Sequence, residues 1–146
     1  MPRHAEPVTE VLDERECLRL VAPGGVGRIA FVGELDLTVL PVNYRLVDGN
    51  ILLRTRADGL IAGDLTTAIG MRKAEYRVAF EVDQFNEAAR EGWSVLIQGP
   101  AHHVDPETEQ AAALAADVHP WAGGTRDHVI EVRPVRITGR RIRQAI

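Results

Sequence analysis

The chain is expected to fold as a mainly β protein, a small antiparallel barrel with peripheral helices. Three observations carry that expectation. Roughly six or seven short β-leaning segments are joined by turn signals rather than by crossover helices, which argues against a parallel α/β sheet. Arg77-Val78-Ala79-Phe80-Glu81-Val82-Asp83 alternates strictly, placing Val78, Phe80 and Val82 on one face, the pattern of a half-buried strand. The stretch from Gly92 to Val104 is long for one strand and contains Gly99-Pro100, a pair that bulges or bends a strand as a barrel requires.

In chain order, residues 1–12 read as a flexible lead. Asp13-Glu14-Arg15-Glu16 has the form of a capping box, with Asp13 accepting from the helix start and Glu16 reaching back. Cys17, Leu18, Leu20 and Val21 then form the apolar side of a helix that Pro23-Gly24-Gly25 stops. Arg28-Ile29-Ala30-Phe31-Val32 and Leu37 to Tyr44 read as a hairpin through Gly33-Glu34. Asp48-Gly49-Asn50 tolerates positive backbone angles and turns the chain into a third strand, Ile51 to Arg56. Leu60, Ile61, Leu65 and Ile69 recur near helical spacing, so a short helix is expected there. Pro106, with Glu107 and Glu109 in the first turn, opens an alanine-rich helix to about Asp117. His128 to Arg133 and Val135 to Ile142 supply the last strands, separated near Pro134.

Composition limits the function classes. The 146 residues, 45% hydrophobic and 26% charged, suit one globular domain over 1–146 that needs no disulfides, alone or completing its core as a dimer. A formal charge of −4 gives no general attraction to nucleic acid. One cysteine, Cys17, excludes an internal bridge and fits a reducing compartment. No apolar run approaches the roughly 18 residues of a membrane span, and the polar start lacks a signal-peptide core, so a cytoplasmic protein without membrane attachment is expected. His102 and His103 fall on opposite sides of a strand, and His4, His119 and His128 lack ligand spacing, so no metal site is expected.

The segments Gly27-Arg28-Ile29-Ala30-Phe31, Pro41-Val42-Asn43-Tyr44, Leu53-Arg54-Thr55, Val78 to Asp83, Gly92-Trp93-Ser94-Val95, His119-Pro120-Trp121 and Thr138-Gly139-Arg140 occur in a telling order and spacing. Together they resemble the pyridoxamine 5′-phosphate oxidase-like family of flavin-binding split β-barrels, from about Glu16 to Ile142. The resemblance implies a Greek-key-like split barrel, a homodimer with FMN at its interface, and hydride exchange with a reduced nicotinamide or small organic substrate. It nominates no catalytic side chain.

The residues give this implication physical content. A flavin phosphate needs cationic and hydroxyl donors, which Arg54, Thr55 and Arg56 supply, although in an extended strand the two arginines share one face and Thr55 takes the other. Solvated strand charges are the equal alternative. Pro41 frees backbone groups while Val42, Asn43 and Tyr44 line a bed for the ring; the plain alternative is a proline on an exposed edge. Trp93, Ser94 and Trp121 resemble positions that close such a site, and tryptophans equally serve cores and interfaces. Where relatives carry a lysine after the Arg-Thr strand, this chain has Ile61, with Asp58 nearby. Losing that charge-assisted contact corresponds to roughly ten- to a hundredfold in affinity.

Non-catalytic binding of FMN, a deazaflavin or haem, or loss of cofactor binding, is the alternative class. A deazaflavin's acidic tail calls for an extended basic groove, and haem for an axial ligand that no histidine here supplies. Arg133, Arg136, Arg140, Arg141 and Arg143 make the C-terminal region basic, an outer strand face open to an anion or a partner subunit.

Overall fold

The computed structural model describes residues 6–33, 36–55, 76–104 and 128–144. Its elements are β1 (Pro7–Leu12), α1 (Glu14–Val21), β2 (Gly25–Val32), β3 (Leu37–Val47), β4 (Asn50–Thr55), β5 (Tyr76–Asn86), β6 (Glu91–Val104), β7 (His128–Val132) and β8 (Arg136–Gln144). The helices expected over 60–69 and 106–117 lie outside the described residues.

Every strand pairing is antiparallel, in the order β1-β8-β6-β5-β2-β3-β4-β7. A further pairing of β6 with β7 closes β6, β5, β2, β3, β4 and β7 into a six-stranded barrel, from which β8 and β1 extend as a flap. The split occurs where the sequence places Gly99-Pro100. β6 pairs with β5 from Glu91 to Ala101, but on its other side Gly92 to Gln98 pair with β8 and Ala101 to Val104 pair with β7. The chain crosses between the two partners there, with Arg133 N donating to Pro100 O (3.0 Å) and Val135 N to Gln98 O (2.8 Å). A side chain at position 99 would place its Cβ 1.9 Å from Arg133 O, so only glycine lets the crossing segment lie against β6.

Alternation sorts the residues between barrel interior and exterior. Ile29, Phe31, Ile51, Leu53, Val78, Phe80, Val82, Val95, Ile97, Ile130 and Val132 are buried in one core. Phe80 occupies the space left by Gly27, where a Cβ would lie 2.3 Å from the ring, and meets Tyr44 edge to face at 5.1 Å. Asp48 and Gly49 take the positive φ angles expected of the β3–β4 turn, 52° and 79°.

Two expectations are corrected. Residues 7–12 are not a flexible lead: Pro7 to Leu12 pair in full register with Gln144 to Gly139, and Leu12 is buried. At α1, Asp13 caps the helix by accepting from Glu16 N at 2.8 Å, but the Glu16 carboxylate does not return to the cap. It accepts from Arg19 Nε at 2.8 Å and from Arg141 at 2.9 Å, because β8 brings a cation to the helix flank. Those two guanidiniums, Arg19 first, lower the Glu16 pKa to about 2.

Cys17 and Val21 are fully buried beneath this helix. Gly139 admits the approach, since a Cβ there would stand 2.5 Å from Cys17 Sγ. Desolvation, before the nearby acids, pushes the Cys17 thiol up, so it packs as a small apolar residue.

Candidate functional site

Pairing and alternation decide which sequence-nominated residues meet. Asn43 lies directly across from Arg54, and Pro41 across from Arg28. Because Pro41, Asn43 and Val39 share a parity, they face the barrel exterior with Arg28 and Ala30 of β2. Arg54 is half-buried, stands on this outer side beside Asn43, and makes no ion pair with another described residue. β4 pairs with β3 only from Asn43 onward, so among the described residues positions 37–42 have β2 on one side alone. Pro41 therefore sits where a missing N–H costs no ladder bond, as on an edge strand.

Beside it runs an apolar strip, Val32 opposite Leu37 and Ala30 opposite Val39, in which Val32, Leu37 and Val39 are 59%, 76% and 63% exposed. Three large aliphatic side chains in adjacent exposed positions form a contiguous patch of the kind that marks a binding or association surface. The strip ends at Pro41, Asn43 and Arg54.

The other nominated residues are distributed differently. Val42 packs against the core, and Tyr44 is 2% exposed, its hydroxyl donating to Val21 O at 2.8 Å. Tyr44 is thus a core residue that ties β3 to the end of α1, not part of an exposed bed. Burial pushes its phenol up to about 12. Trp93 and Ser94 point to opposite faces: Trp93 packs on the core and lines a hollow with Glu87, Glu91, Arg141 and Arg143, whereas Ser94 lies on the outer face. Both are on β6, three strands from β3 in the sheet order. Thr55 continues β4 beside His128, and Arg56 and Trp121 lie outside the described residues, as do Asp58 and Ile61.

Sequence reasoning did not nominate the groove that continues the outer face. It has a volume of about 640 Å³, within the range of small-molecule sites, and extends from Val39 and Ala30 across β5 and β6 to β8 and Val11 of β1. Arg28, Arg136, Arg140 and Glu81 supply its charge. Arg28 bridges two carboxylates, Glu81 at 3.2 Å and Asp83 at 3.0 Å. A hydrogen bond shared with Asp83, and then burial, raise the Glu81 pKa. The alternating Arg136-Ile137-Thr138-Gly139-Arg140 was the available signal, but a charged outer strand looks the same in sequence whether it faces solvent or a groove.

Among the described residues no group of three or more His, Cys, Asp or Glu could hold a metal ion, and no helix is long and apolar enough to cross a membrane. What the outer face offers is an apolar bed ending in an amide and a guanidinium. That donor set fits the phosphate and pyrimidine edge of a flavin: the cation for the phosphate, the amide and edge-strand backbone for ring heteroatoms.

The closed six-stranded antiparallel barrel with its divided β6 is a split β-barrel, the class to which the solved likenesses also belong. Residues 13–141 match the family described as pyridoxamine 5′-phosphate oxidase, and the chain belongs to that family. The uncharacterized protein Rv0080 of Mycobacterium tuberculosis is 34% identical over 97% of this chain and 90% of its own length. Among solved structures, the FAD binding protein from Mycobacterium smegmatis is 29% identical with a TM-score of 0.70, covering 91% of this chain and 98% of that one. A FAD-binding protein from Mesorhizobium loti, 16% identical over 95% of this chain and 100% of that one, shares the fold at a TM-score of 0.73.

Proposed function

We propose that this chain is a flavin-dependent oxidoreductase whose flavin lies on the outer bed of β2 and β3, between two copies of the barrel. The observation that carries the reading is the placement of Arg54 and Asn43 at the end of an exposed apolar strip. Membership of the pyridoxamine 5′-phosphate oxidase family and the flavin-binding names of solved likenesses support it.

The flavin, FMN in the simplest case, supplies hydride transfer when bound; the chain's residues hold and shield it. Arg54 neutralises the phosphate at the end of β4, which closes with Thr55. Pro41 and Asn43 bound the ring, and Val39 with Ala30 give it an apolar floor. Burying Val32, Leu37 and Val39 against a second copy excludes water from the ring and stabilises the dimer, each aliphatic side chain contributing about 1.5 to 3 kcal/mol if fully covered. Trp93 and Trp121 then act from the partner copy, β6 lying three strands from β3 in the sheet order, whereas Ser94 faces the groove that continues the bed.

The test is a visible-absorbance titration of the purified protein with FMN and FAD, followed by NADPH or NADH. Saturable binding with bleaching of the bound flavin supports the oxidoreductase. Tight binding without bleaching by either nicotinamide restricts the chain to a binding module, and absence of binding overturns the proposal.

A further inference from the structure

We infer that the far end of the outer groove is a second anion site, formed by Arg136 and Arg140 with the hydroxyls of Thr138 and Ser94, for the phosphate groups of an extended nucleotide. The first support is charge. Three arginines and one carboxylate line the groove. Arg28 is committed to Glu81 and Asp83, whereas Arg136 and Arg140 make no ion pair with another described residue. The cationic surplus therefore lies on β8 and seeks an anion.

The second support is register. Arg136, Thr138 and Arg140 share the outward face of β8, and their partners on β6 are Gln98, Leu96 and Ser94. Two guanidiniums four residues apart on one strand are about 13 Å apart at the backbone, with a hydroxyl between them. Both arginines line the one groove, and side chains of that length reach a common ligand across the span, which suits a diphosphate better than a single carboxylate. The third support is rigidity. Gly139, between Thr138 and Arg140, is held against Cys17 Sγ and Ser94 O, and Val11 of β1 walls the groove opposite Arg140. The donors are thus mounted on a backbone clamped from both sides rather than on a loop.

The groove leads back to the strip on which the flavin is placed, because Val39, Ala30 and Arg28 line both. β8 lies four strand spacings from β3, about 19 Å along the sheet. An anion at that distance belongs to the distal part of a dinucleotide: the adenylate half of a flavin dinucleotide, or the phosphates of a nicotinamide reductant. Which dinucleotide fills the groove rests on the flavin reading; the anion site itself does not.

Amide chemical-shift mapping of the isotopically labelled full chain with inorganic diphosphate tests the site directly. The amides of Ser94, Thr138 and Arg140 should shift saturably, and the affinity should fall about tenfold or more in Arg136→Gln/Arg140→Gln. Arg143→Gln, outside the groove and paired with Glu10, should leave it unchanged. Absence of shifts at these amides, an undiminished response in the double variant, or an equal loss in Arg143→Gln would overturn the site. The source is read from nucleotides. Weaker FAD binding in the double variant with FMN unaffected assigns the flavin tail; weaker NADPH binding with both flavins unaffected assigns the reductant; no response from either overturns the dinucleotide assignment. A wild-type chain that responds to diphosphate but binds no flavin would sink the flavin reading and leave the anion site standing.

Discussion

At the residue scale, Arg54 and Tyr44 make opposite predictions although both are adjacent to Asn43. Arg54→Gln removes the cation at the end of the apolar strip without disturbing the core. Flavin affinity should fall by about ten- to a hundredfold while the melting temperature stays near wild type, read by fluorescence titration and thermal denaturation. Tyr44→Phe removes one of the two donors to Val21 O, which keeps its bond from Gly24 N, and denaturant unfolding should show a loss of about 1 kcal/mol with flavin affinity unchanged. The sequence could not separate these roles. A tyrosine at the end of a polar-looking segment suits a ligand bed or a core equally, and only the placement of α1 against β3 shows which carbonyl its hydroxyl meets. Glu16 adds a pH signature. Its folded-state pKa is depressed from 4.5 to about 2, so the stability gained from Arg19 and Arg141 is complete above pH 4.5 and is lost as pH falls toward 2. Thermal melts of wild type and Glu16→Gln should differ at pH 6 and converge near pH 2.

At the element scale, the central device is β6, which serves the barrel through its C-terminal half and the flap through its N-terminal half. Gly99→Ala puts a Cβ into the Arg133 carbonyl, a clash with backbone that no rotamer change relieves. It should destabilise the protein by about 3 kcal/mol or more, measured by denaturant unfolding. Gly27 makes the contrasting case, since its neighbour is the far end of the Phe80 ring. Gly27→Ala should be destabilising alone and partly rescued by Phe80→Leu, a coupling that a double-mutant cycle measures. Most of the strands were legible, because alternation at Val78-Phe80-Val82 and the Asp48-Gly49 turn are local signals. β1 was not. Pro7-Val8-Thr9-Glu10-Val11-Leu12 becomes a strand only through its ladder to β8, a partner more than 120 residues away, as Leu12 pairing with Gly139 shows.

At the scale of the whole molecule, closure of the six barrel strands confines free strand edges among the described residues to β1 and the start of β3, so the exposed outer face is the broader surface for association. The exposed strip of Val32, Leu37 and Val39 is the face the fold presents beside Arg54. The sequence resemblance named the split barrel, and the structure bears that out through the change of partner along β6. Which nominated residues share a face was only partly legible: Pro41, Asn43 and Arg54 lie on the outer side, but Val42 and Tyr44 face inward, because strand alternation divides a contiguous motif between two sides. The central claim is that two copies enclose a flavin on this face. Sedimentation velocity, with the visible absorbance of added flavin as the tracer, tests it most directly. Flavin should migrate with a species of twice the 16.0 kDa chain mass, and Val39→Glu should return both flavin and protein to slower boundaries. Flavin travelling with the single chain, or remaining unbound beside a stable dimer, would contradict it.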